Sequence, residues 1–102
     1  QARDPRASHV YHLFVVRSPN RDALQAHLAS LGIETAVHYP VPVHLMGAYR
    51  HLGYRAGAFP EAERASREVL SLPMYPELAD AQIDRVADAV HRFRGAVLSD
   101  TR

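Results

Sequence analysis

Positions 38–44 read His-Tyr-Pro-Val-Pro-Val-His, and this is where the chain's chemistry-bearing side chains gather. An imidazole can donate or accept a hydrogen bond at neutral pH, and a phenol can do the same. Pro40 and Pro42 hold the intervening backbone extended and remove two donors, so the polar tips are carried on a stiff loop that loses little entropy when it meets a ligand. Two readings fit the spacing. His38, Tyr39 and His44 are ligand contacts at the end of a strand, or they belong to a proline-stiffened connector whose polar groups satisfy neighbouring backbone.

The other reactive types suggest less. Of seven histidines, His9 and His12 come nearest to a metal-ligand spacing. Residues three apart on a strand face opposite sides and sit roughly 10 Å apart, too far to share an ion bound at about 2 Å. His27, His51 and His91 fall singly on expected helices, where a solvent-facing or half-buried role suffices, and His27 and His91 suit a helix C-terminus when charged. Ser66 and Ser71 have no Gly-x-Ser-x-Gly elbow around them, and five scattered glycines form no phosphate-cradling loop. Glu61, Glu63 and Glu68 with Arg64 and Arg67 read as a solvated helix face of i, i+3 and i+4 partners.

Two residue types are missing. All twelve basic residues are arginine, so no ε-amino group is available for a Schiff base, and zero cysteines remove thiolate nucleophiles and thiolate metal ligands. The formal net charge is +1 with no long run of one sign, which argues against a nucleic-acid partner. No apolar stretch approaches the roughly 18 residues of a membrane span. Residues 1–8 are polar, unlike a signal peptide, and a soluble cytoplasmic protein is expected. At 102 residues there is room for one core.

The elements that must position these groups follow from periodicity. Residues 9–17 are β-branched and aromatic on both alternating faces, which predicts a strand covered on both sides. Leu24, Leu28 and Leu31 predict a helix capped at Ser18 or Asn20 and ended by Gly32. A second strand is expected over 33–38 and a short helix over 45–52, stopped by Gly53. Pro60 opens a helix with Ala62, Ala65, Ser66 and Val69 on one face. A third strand over 70–74 precedes a final helix marked by Ile83, Val86, Ala87, Val90, Phe93 and Val97. The order β-α-β-α-α-β-α implies an α+β class, a small two-layer sandwich with about three strands and helices mainly on one face. Residues 1–8 are expected as a linker, 9–98 as the domain and 99–102 as a tail.

Five segments, in order and spacing, resemble the C-terminal domain of the DegT/StrS sugar aminotransferases, which are fold-type I pyridoxal-phosphate enzymes. They are residues 9–17, 21–24, 31–35, 38–44 and 70–78, the last reading Leu-Ser-Leu-Pro-Met-Tyr-Pro-Glu-Leu. Relatives commonly place a capping Thr where this chain has Ala79, and Asp80 is expected to take over the cap before Gln82. The resemblance implies that the chain is the small domain of an enzyme that converts a keto group on a nucleotide-linked sugar or cyclitol to an amine. Pyridoxal phosphate and its lysine are then carried by a separate N-terminal domain, and the whole enzyme is a homodimer. It also implies that His38, with Tyr39 supporting and His44 as a second candidate, lines the substrate side of the cleft, and that this chain alone is inactive, holding no cofactor and no metal. The alternatives are a free-standing binding or regulatory module of the same fold and a histidine-based metal protein. A domain cut from a larger one should expose apolar surface on the first strand or over 45–54 and associate through it.

Overall fold

The computed structural model describes residues 3–93; the expected tail at 99–102 and Val97 lie outside the described residues. Strands β1 (Phe14–Arg17) and β2 (Val69–Leu72) pair antiparallel with Val15 opposite Ser71, and helices α1 (Arg21–Ser30), α2 (Pro60–Glu68) and α3 (Asp80–Arg92) complete a small α+β domain. Two 3-10 helices, Val43–Leu45 and Gly47–Leu52, replace the single short helix expected there.

The core is built by α1, α3 and one face of the sheet. Leu24, Leu28, Ile33, Leu70 and Ala89 are buried together, with Val16, Val37, Leu72, Val86, Val90 and Phe93 packed around them. Burying each large aliphatic side chain contributes about 1.5–3 kcal/mol. Helix α1 ends as its sequence predicts. Gly32 turns left-handed at φ 74, its N–H donates to the Ala29 carbonyl, and Ile33 donates to the Leu28 carbonyl, which drops Ile33 onto Leu28 in the core. Leu31 lies beyond the last turn and is 40% exposed, so the apolar stripe of α1 is Leu24 and Leu28.

Four expectations change. The strand over 33–38 is present only as one bridge, in which Ala36 and Ser71 exchange both backbone hydrogen bonds at 3.1 and 2.7 Å. Extending that register would pair residue 34 with Pro73, which has no N–H, and residue 38 with Val69, whose carbonyl accepts from the Arg21 guanidinium at 3.1 Å. Strand β1 is four residues long rather than nine because the chain turns at Tyr11, φ 50, where its N–H donates to the His9 ring at 2.7 Å. Nor is β1 covered on both faces: Phe14 and Val15 are 47% and 44% exposed. Helix α3 starts after Ala79, not at an Asp80 cap. Alanine has no oxygen to offer, so only half a capping box forms, the Ala79 N–H donating to the Gln82 amide oxygen at 2.9 Å.

Leu45, Tyr49, Leu52 and Tyr54 are all at least 38% exposed, as the expectation of uncovered apolar surface over 45–54 required.

Candidate functional site

Strand β2 is the central piece of chain from which the site is built, with β1 on one edge and Ala36 on the other. His38 follows Ala36 by two residues on the same extended segment, so its side chain leaves on the same side as that of Ala36 and lies diagonal to Ser71. The imidazole Nδ1 and the Ser71 hydroxyl are 2.8 Å apart. Ser71 is buried and His38 half-buried.

Both residues line an open cleft of about 520 Å³, whose wall also includes Glu34, Tyr75, Gln82 and Arg85. The Arg85 guanidinium donates to the Leu31 carbonyl just after α1, so the cleft's cation is tied to the end of that helix. Tyr39 stands outside, 67% exposed, with its ring edge-on to His38 at 5.4 Å between centroids.

His44 is placed elsewhere. Its ring is buried on the first 3-10 helix, edge-on to Phe59 at 4.9 Å, and its Nε2 lies 3.6 Å from the Glu63 carboxylate of α2. Nε2 is also the one buried side-chain polar atom without a hydrogen bond among the described residues. Glu63, assigned from sequence to a solvated face, is itself buried: both carboxylate oxygens accept from the Gly57 N–H, at 2.8 and 3.0 Å. A buried carboxylate needs such partners, and the Gly57 turn, left-handed at φ 91, supplies one. No hydrogen bond or ring contact links His44 to His38 or Tyr39 among the described residues.

The remaining polar groups serve the fold. His27 Nε2 lies 3.0 Å from the Ala89 carbonyl and joins α1 to α3, and His91 meets the carbonyl one turn before it. Arg17 and Arg64 both donate to Glu68, at 2.8 and 3.0 Å, and hold its carboxyl below the usual range, the Arg64 hydrogen bond acting most strongly. Among the described residues no group of three or more His, Asp or Glu side chains is disposed to hold a metal ion, and no helix is long and apolar enough to cross a membrane.

Ser71 was missed from sequence. Its signal is the register that sets it opposite Ala36, two residues from His38, and register is invisible in composition.

A family model described as the DegT/DnrJ/EryC1/StrS aminotransferase family matches residues 1–91. The chain is 48% identical over 85 residues to a pleiotropic regulatory protein of Geobacillus stearothermophilus, covering 83% of this chain and 23% of that one. It is 48% identical over 89 residues to a dTDP-3-amino-3,4,6-trideoxy-alpha-D-glucose transaminase of Streptomyces venezuelae, covering 87% and 24%. Among solved structures, S. venezuelae DesV in complex with a ketimine intermediate superposes with a TM-score of 0.81 at 48% identity, covering 87% of this chain and 24% of that one. The chain therefore spans about a quarter of the length of these relatives.

Proposed function

Because this chain belongs to the DegT/DnrJ/EryC1/StrS aminotransferase family, we propose that residues 9–98 form the C-terminal small domain of a cytoplasmic, homodimeric aminotransferase that converts a keto group of a nucleotide-linked sugar to an amine. Residues 1–8 link it to an N-terminal domain, and 33–38 occupy the place of a third strand. Pyridoxal phosphate belongs to that other domain: with no lysine in 102 residues and no glycine-rich loop to cradle a phosphate, this chain's own residues do not fit the coenzyme.

What the chain contributes is one wall of a cleft. His38 binds substrate through Nε2, the ring nitrogen left over by Ser71, which suits a sugar hydroxyl or a phosphate oxygen. Tyr39, exposed beside it, extends that wall. His44 is the second candidate substrate contact only where the 3-10 helix carrying it moves. In the arrangement seen, its ring braces Phe59 and Glu63 and thereby the loop that begins at His38. The observation that carries this reading is a half-buried imidazole, held at one nitrogen and without a partner among the described residues at the other, beside a cleft in a chain 48% identical over 89 residues to a nucleotide-sugar transaminase.

A chimera tests it. Residues 9–93 replace the matching quarter of the S. venezuelae transaminase, and amination of a thymidine-diphosphate keto-hexose is followed. Turnover by the folded chimera supports the proposal; a folded, coenzyme-loaded chimera without turnover contradicts it. The second reading, a non-catalytic regulatory module, draws on the description of the Geobacillus relative as a regulatory protein, and predicts that second outcome.

A further inference from the structure

We propose that Ser71 is the positioning residue that sets the tautomer and orientation of His38, so that a neutral His38 presents an Nε2–H donor to the cleft.

The serine is held from both sides. Its backbone exchanges hydrogen bonds with Ala36, its other neighbour is Val15 of β1, and its side chain is buried. The hydroxyl therefore has a fixed origin. Its one visible partner among the described residues is His38 Nδ1, 2.8 Å away. Were Nδ1 to carry the proton and donate, the hydroxyl's own hydrogen would be left without an acceptor among the described residues, an unfavourable arrangement for a buried group. The hydroxyl donates instead, Nδ1 accepts, and the neutral ring carries its proton on Nε2. That nitrogen has no partner among the described residues and is not among the buried unpartnered atoms, so it opens toward the cleft that His38 lines. Diagonal placement across the Ala36–Ser71 antiparallel pair gives the contact its reach.

The value of the Nε2–H to substrate binding rests on the reading of His38 as a substrate contact; the Ser71–His38 geometry does not. Long-range proton–nitrogen correlation of imidazole resonances in the ¹⁵N-labelled 102-residue chain, at a pH above the ordinary histidine range of about 6.5, reads it directly, with the His38→Gln spectrum assigning the signals. The expected result is a proton on Nε2 and an Nδ1 resonance displaced from that of an unbonded ring. In Ser71→Ala the displacement is lost and both tautomers appear, and in Ser71→Thr, which keeps the hydroxyl, the displacement returns. A proton on Nδ1 in the parent, or an Nδ1 resonance unchanged in Ser71→Ala while amide exchange shows the Ala36 pairing intact, overturns the proposal. Should Ser71→Ala fail to fold, the parent tautomer and the Thr variant decide it. Adding a thymidine-diphosphate hexose to the ¹⁵N-labelled chimera with the S. venezuelae transaminase separates the two readings: an unmoved His38 with the expected tautomer speaks against the substrate contact alone.

Discussion

The side chains that organise this domain are polar groups sequestered where sequence patterning expects solvent. Glu63 is the clearest. It sits among Glu61, Arg64 and Arg67 in what reads as a solvated face, yet it is buried because the left-handed Gly57 turn delivers an N–H to its carboxylate and His44 closes over it. Glu63→Ala removes the carboxylate that accepts from the Gly57 N–H and that lies 3.6 Å from the buried His44 ring, and hydrogen bonds to charged groups are worth about 1.5–3 kcal/mol. Urea unfolding should show a loss of about 2 kcal/mol, whereas Glu61→Ala, on the exposed face, should be near neutral; equal effects would return Glu63 to the solvated face. His38 stood out at this scale as a candidate because it opens the proline-stiffened run 38–44, where a ligand contact and a structural connector both fit the spacing. Ser71 was not, since a serine is ordinary until the register puts it 33 positions away in sequence and 2.8 Å away in space.

Elements with strong local punctuation were read closely, and those that depend on pairing were not. The Gly32 stop of α1 and the Pro60 start of α2 are set by backbone chemistry within a few residues, and both appear where expected. The 33–38 strand failed for a reason held elsewhere in the chain, in Pro73 and in the Arg21 contact to Val69. Between elements, Glu68 ties the end of β1 to α2 through Arg17 and, within α2, to Arg64. Its carboxyl is held below its ordinary value of 4.5 by Arg64 first and by Arg17 against the pull of burial. A group depressed in the folded state stabilises it fully above that ordinary value and loses the effect as pH falls through the depressed one. Denaturation midpoints of the parent should therefore fall on acidification more steeply than those of Glu68→Gln, the two converging at low pH; parallel profiles would show that the pairs contribute nothing.

Taken whole, the domain has a small core for its length. Among the described residues five apolar side chains are buried, while Phe14, Val15, Leu45, Tyr49, Leu52 and Tyr54 remain open, which is the surface expected of a piece that packs against more protein. The class of fold was legible because three helices and the strands declare themselves by period and by glycine and proline. How much of the sheet closes was not, because a ladder needs donors from two places at once. In the whole enzyme, His38 is proposed to touch substrate in an assembled cleft. The most direct measurement is the steady-state kinetics of His38→Gln in the chimera with the S. venezuelae transaminase, using a thymidine-diphosphate keto-hexose. A fall in kcat/KM of about tenfold, equivalent to about 1.4 kcal/mol, with the bound coenzyme's absorbance unchanged, is the predicted result; an unchanged kcat/KM would contradict it.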